Sequence, residues 1–144
     1  GRIARLGERF HEQRAVQCFV PGVPQIYYVG LLAGGNDLDL LRRTGVGRDV
    51  NRHYYAAEEV RRELTRPLVR SLLELLRLRN AHPAFHGTFH IGTSAPDRLV
   101  LEWTNASDTA RLDVDLTAMR AAVTSTGPHA GREGTQAWDS TVEA

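Results

Sequence analysis

The sequence contains no lysine, one cysteine and no long apolar run. Cys18 alone can form neither an intrachain disulfide nor a cysteine-built zinc site, which fits a reducing compartment such as the cytoplasm. All 18 basic residues are arginines, planar forked donors suited to holding polar ligands, and 17 acidic residues reduce the formal charge to +1. That balance creates no global field to attract nucleic acid. The most apolar run, Ala15 to Gly22, is broken by Gln17 and Pro21 and falls far short of the roughly 20 apolar residues a membrane span needs. An initiator methionine and a signal pattern are also missing at Gly1, so the chain is expected to be a fragment of a longer protein.

Within its 144 residues, 42% hydrophobic, the period of the apolar positions changes once. From about Glu8 to Val20, Phe10, Ala15, Phe19 and Val20 alternate with Arg9, Glu12, Gln13 and Arg14 as in a helix that Pro21-Gly22 terminates. Gln25 to Val29 is a short aromatic and β-branched run closed by Gly30, which predicts a buried strand and, with the helix before it, one αβ step of a parallel sheet. A short helix is predicted from Ala57 to Leu64, with Glu58 and Glu59 near its positive end. A stronger one starts at Pro67, carries Leu68, Leu72, Leu75, Leu76 and Arg79 on one face, and stops at Asn80-Ala81-His82-Pro83. Beyond Phe85 the period falls to two in Thr88 to Ile91, Arg98 to Trp103 and Ala110 to Leu116, with a further strand at Ala121 to Ser125. The intervening turns are short enough for antiparallel hairpins. Residues 127 to 144, rich in Gly, Thr and Ser, are expected to be loosely held.

Between Gly30 and about Tyr55 no period is sustained. A loop longer than about 15 residues inside a compact domain is commonly functional, and this one contains Gly34-Gly35-Asn36-Asp37 and the charged run Arg48-Asp49-Val50-Asn51-Arg52-His53. The Arg48 guanidinium can donate two hydrogen bonds to neighbouring acceptor oxygens of a polar ligand, or can staple its own loop through an ion pair with Asp49. Asp49, Asn51, Arg52 and His53 are expected to hold the loop in shape rather than touch a ligand. Asp37 and Asp39 suit turns and helix caps better than a catalytic pair. Tyr27 and Tyr28 are expected to pack. His11, His82, His86, His90 and His129 have no metal-ligand spacing, so no metal site is expected. Arg61, Arg62, Arg66, Arg70, Arg77 and Arg79 alternate with Glu58, Glu59, Glu63 and Glu74, as on a solvated helix face and not on a nucleic-acid surface.

The segment Pro21-Gly22-Val23-Pro24-Gln25-Ile26-Tyr27-Tyr28 resembles the last barrel strand of the α-amylase superfamily, glycoside hydrolase family 13. The continuation Val29-Gly30-Leu31-Leu32-Ala33-Gly34-Gly35-Asn36-Asp37 narrows the resemblance to the sucrose phosphorylase subfamily. Gly47-Arg48-Asp49-Val50-Asn51-Arg52-His53-Tyr54-Tyr55 and Leu78-Arg79-Asn80-Ala81-His82-Pro83-Ala84-Phe85 narrow it in the same way. The likeness covers about Arg9 to Phe89. It implies a (β/α)8 barrel whose catalytic Asp, Glu and second Asp lie on earlier strands, none of them in this sequence. It also implies that Arg48, in the Gly-Arg-Asp motif, binds hydroxyls of a glucosyl unit.

The resulting expectation is an α/β plus β chain: residues 1–83 as the last unit of a (β/α)8 TIM barrel, 84–126 as a small antiparallel β domain, and 127–144 as a tail. The implied activity is retaining glucosyl transfer between sucrose and phosphate, with phosphate as co-substrate and no cofactor. Relatives acting on glucosylglycerate, glucosylglycerol or sucrose 6'-phosphate, or an α-glucosidase-like hydrolase, are the alternatives within that class. From a different class, a non-catalytic carbohydrate- or partner-binding module also fits the residues. Oligomeric state is not readable from them.

Overall fold

The computed structural model describes residues 12–129 in full and residues 135–139 as backbone. The expected helix start at Glu8, His11 and most of the tail lie outside the described residues. Helix α1 covers residues 12–19 and gives way to Pro21-Gly22, where Gly22 adopts φ +119°, a conformation that favours glycine. Then come α2 (Tyr28–Leu31), α3 (Leu38–Thr44), a 3-10 turn (Gly47–Asn51), α4 (Ala57–Glu63), α5 (Pro67–Ala81) and a second 3-10 turn (Pro83–His86). The strands are β1 (Thr88–Ile91), β2 (Arg98–Asn105), β3 (Asp108–Asp115), β4 (Arg120–Thr126) and β5 (Thr135–Asp139).

The five strands form one antiparallel meander in the order β1-β2-β3-β4-β5. Its register stacks apolar residues in rows across the sheet: Leu101 opposes Leu112, which opposes Val123, and Leu99 lines up with Val114 and Ala121. Because successive side chains alternate faces, these rows share one side, and α1 and α5 cover it. Ala15, Cys18 and Phe19 of α1 and Leu75 and Leu78 of α5 join the same buried cluster as Trp103, Leu112 and Val123. Residues on both sides of the expected boundary at 83 and 84 therefore contribute to one core. The opposite face is charged, with Arg98 3.0 Å from Asp113 and Arg111 3.5 Å from Glu102.

Helix α5 has the bounds its prolines dictate: Pro67 at the first turn, where a missing N–H costs nothing, and Pro83 just past the end. Its buried face is Leu68, Leu72, Leu75 and Leu78 with Val69, so Leu78 is buried more fully than Leu76. His82 accepts from the Ala84 N–H at 3.3 Å and starts the following 3-10 turn.

Two expectations are corrected. The run Gln25 to Val29 is not a strand. Tyr27 is extended (φ −69°, ψ 147°), but none of these residues joins a ladder among the described residues, and the chain then folds into α2 with Leu31 N–H donating to Tyr27 O at 2.8 Å. Aromatic and β-branched residues favour extended backbone but do not supply the neighbour a strand requires. The αβ step of a parallel sheet is consequently absent from the described residues, whose sheet is wholly antiparallel. The tail is not loose throughout either: residues 135–139 pair with β4, from Thr126 opposite Thr135 to Ala122 opposite Asp139.

Candidate functional site

The stretch between α2 and α4 is held together by Asp37. Its carboxylate caps α3 by accepting from the Leu40 N–H at 2.7 Å, and its own N–H donates to Val50 O at 2.6 Å. The helix ends at Gly45 in the left-handed region (φ 66°), which sends the chain into the 3-10 turn Gly47–Asn51. The second oxygen of Asp37 lies 2.8 Å from His53 Nδ1, and His53 Nε2 lies 2.9 Å from Glu59 Oε1. Glu59 sits in the first turn of α4, where the positive end of the helix favours its charge. Tyr28 Oη donates to His53 O at 2.9 Å, and the Tyr55 ring stands edge-on to His53 at 4.6 Å.

The electrostatics follow from this geometry. The hydrogen bonds to Asp37 and then Glu59 raise the His53 pKa above its ordinary value. The His53 hydrogen bond, then the Leu40 N–H, lowers that of Asp37. A neutral imidazole can donate from only one nitrogen, so a ring between two carboxylates is best satisfied as imidazolium. Burial, followed by the charges of Glu63 and Glu59, raises the Tyr55 phenol.

Two hollows flank His53. A polar one of about 780 Å³ is bordered by Gly34, Asp37, Arg42, Arg43, Glu59 and Arg66. An apolar one of about 450 Å³ is bordered by Tyr28, Leu31, Tyr54, Tyr55 and Val60. The carboxyl groups of Asp37 and Glu59 are both engaged by His53, so they form no acid and base pair for glycosyl chemistry. Among the described residues no group of three or more His, Cys, Asp or Glu could hold a metal, and no helix is long and apolar enough to cross a membrane.

Arg48 lies in the 3-10 turn, exposed, and makes no hydrogen bond or ion pair among the described residues. The alternative staple to Asp49 does not form, and Arg48 borders neither hollow. Asp49 shapes the turn through its main chain, accepting from Arg52 N–H at 3.1 Å and donating to Val46 O at 2.9 Å. Among the described residues the side chains of Asp49, Asn51 and Arg52 make no hydrogen bond, and of the four it is the His53 side chain that ties the loop. Tyr27 is half exposed. The sequence marks Asp37 as a cap, which it is, but does not reveal its bond to His53 or the part played by Glu59. An acidic residue in the first turn of α4 was the available signal for the latter.

No family model matches the chain. A sucrose phosphorylase from Agrobacterium vitis is 49% identical over 125 residues, covering 87% of this chain and 26% of that protein. A glucosylglycerol phosphorylase from Marinobacter adhaerens is 43% identical over 118 residues, covering 82% of this chain and 25% of that protein. The crystal structure of sucrose 6F-phosphate phosphorylase from Thermoanaerobacter thermosaccharolyticum superposes with a TM-score of 0.83 at 34% identity, covering 92% of this chain and 26% of that one. The chain thus spans about a quarter of the length of the relatives it matches.

Proposed function

Because this chain belongs to the sucrose phosphorylase-like group of glycoside hydrolase family 13 phosphorylases, we propose that it is the C-terminal part of a retaining enzyme that converts sucrose and phosphate to glucose 1-phosphate and fructose. The observation that carries this reading is the near-half identity to the Agrobacterium vitis sucrose phosphorylase across most of the chain. In the complete enzyme the non-helical residues 23–27 ahead of α2 would pair as the last strand of a (β/α)8 barrel. The Gly47–Asn51 turn would then lie at the carboxyl end of that strand, where barrel enzymes hold their substrates.

The reaction such a family member performs is a double displacement. A carboxylate attacks the anomeric carbon while a carboxylic acid protonates the departing fructose oxygen, which leaves a glucosyl ester on the enzyme. A phosphate oxygen then displaces the carboxylate from the opposite face, the one fructose had left, so two inversions retain the configuration and the phosphate's proton returns to the acid/base group. Carboxyl groups about 5 to 5.5 Å apart allow this. They would come from the remainder of the protein, and this chain alone would be inactive.

The role assigned to this chain is to orient the glucosyl unit. Arg48 would donate from its planar fork to neighbouring ring hydroxyls. Its lack of a partner among the described residues supports that role, because a guanidinium already paired within its loop would have to be released first. Inorganic phosphate enters as a co-substrate and no cofactor is required. Cytoplasmic residence accords with one buried free cysteine.

A second acceptor class is favoured by a specific observation, the superposition on sucrose 6F-phosphate phosphorylase over 92% of the chain. The test is a phosphorolysis assay of the full-length protein with sucrose, sucrose 6'-phosphate, glucosylglycerol and glucosylglycerate, each with phosphate. Glucose 1-phosphate release fastest from sucrose is the expected result. Preference for a phosphorylated donor would shift the assignment to the second class, and release from none would overturn both.

A further inference from the structure

Asp37 grips the segment that carries Arg48 at two points. Its N–H holds Val50 O at 2.6 Å, two residues beyond Arg48, and its carboxylate holds the His53 ring at 2.8 Å. On its other side the same ring meets Glu59 of α4 at 2.9 Å, and its main-chain oxygen accepts from Tyr28. The Gly47–Asn51 turn therefore ends in a clamp that joins α3 to α4 through a single imidazole.

We propose that His53 is a positioning residue which, in its protonated form between Asp37 and Glu59, holds the Arg48 turn in place, so that the grip on the glucosyl unit weakens when the imidazolium is lost. The inference rests on the reading of Arg48 given above and adds a pH-dependent control of that site. Loss of the proton leaves one ring nitrogen with a lone pair facing a carboxylate, an unfavourable contact in place of a charge-assisted hydrogen bond. One arm of the clamp then opens, and either α4 or the Asp37 anchor is freed from residue 53.

The other charges around the ring preserve this arrangement. Arg43 of α3 acts on Asp37 in the same sense as His53. Glu63 is occupied by Arg66 at 2.7 Å, which leaves Glu59 as the α4 carboxylate on the ring. Tyr55 meets His53 ring to ring in a T-shaped contact with centroids 4.6 Å apart. The hydrogen bonds to Asp37 and Glu59 raise the His53 pKa, which places the change above its ordinary value of about 6.5.

The experiment uses the full-length protein with sucrose and phosphate. KM and kcat are measured between about pH 5.5 and about pH 9 for the wild type, His53→Gln, Asp37→Asn and Arg48→Ala. The wild-type KM for sucrose is expected to rise about tenfold with pH while kcat follows a separate profile, and His53→Gln is expected to hold a high KM that no longer responds on that limb. A His53→Gln KM that tracks the wild type at every pH would overturn the clamp. If Arg48→Ala also leaves KM unchanged, the sugar-site reading falls and the clamp with it. If Arg48→Ala raises KM while His53→Gln does not, the clamp alone falls. An NMR titration of the His53 ring in the wild type needs no variant: a midpoint above about 6.5 is expected, and one at or below it contradicts the proposal.

Discussion

The indole Nε1 of Trp103 donates to the main-chain oxygen of Phe19 at 2.6 Å, a buried hydrogen bond that spans 84 positions of sequence. It fixes the C-terminal end of α1 to the centre of β2, and Arg79 of α5 covers the same ring at 5.5 Å and Phe85 at 4.6 Å. Trp103→Phe keeps most of the apolar volume but leaves the Phe19 carbonyl without its donor. A loss of about 1 to 3 kcal/mol is expected from chemical denaturation of the full-length protein. Unchanged stability would show that the bond contributes nothing net.

Gly34 is required by the approach of Tyr55. A Cβ at this position would collide with Tyr55 Oη and lie 3.1 Å from Val29 Cγ1. Gly34→Ala is therefore expected to cost about 1 to 3 kcal/mol by forcing Tyr55 off its edge contact with His53. Adding Tyr55→Phe removes the clashing hydroxyl, so the double variant should recover part of the loss. A double-mutant cycle with no coupling would contradict this.

Acid should loosen the joint between α5 and the sheet. Burial lowers the His82 pKa, and its Nε2 has no hydrogen-bond partner among the described residues. Asp108 is pushed up by burial but is held lower on balance by the His129 side-chain and main-chain hydrogen bonds, the former at 3.0 Å. For both groups the unfolded chain takes up protons at a higher pH than the folded one, so stability falls as pH drops. The loss begins at about pH 6.5 for His82, with Asp108 adding to it below about pH 4. Melting temperature measured across that range should fall for the wild type, and less steeply for His82→Gln between about pH 6.5 and 5. Parallel curves would contradict it.

Cys18 should be unreactive in the folded protein. Burial, partly opposed by Arg79 and then Arg14, pushes its thiol up to about 11. Labelling with a thiol reagent at neutral pH should proceed only on unfolding, since the thiolate is the reactive form. Rapid stoichiometric labelling of the native protein would contradict the packing of α1.

Much of this architecture is legible locally. Alternation in Ala110 to Leu116 gives β3 because one face of the sheet is buried and the other charged, and Pro67 and Pro83 bracket α5 because each restricts the chain on its own. What depends on a distant partner is not legible. Gln25 to Val29 has the composition of a strand, yet no described neighbour completes one. Thr135–Asp139 was hidden by a Gly- and Thr-rich surrounding, and becomes a strand because β4 offers it an edge. Asp37, His53 and Glu59 are separated by up to 22 positions and meet only because α3 and α4 bring both carboxylates to one ring. Arg48 was singled out by its motif. That it has no partner among the described residues is something only the three-dimensional arrangement reveals.

The most direct test of the central claim is the comparison of kcat/KM for sucrose phosphorolysis with melting temperature in the full-length protein and its Arg48→Ala variant. Loss of a paired donor to the sugar is expected to lower kcat/KM by about 100-fold while the melting temperature stays within about 2 °C, since Arg48 bonds to nothing within the described residues. A near-normal kcat/KM accompanied by a marked fall in melting temperature would contradict it.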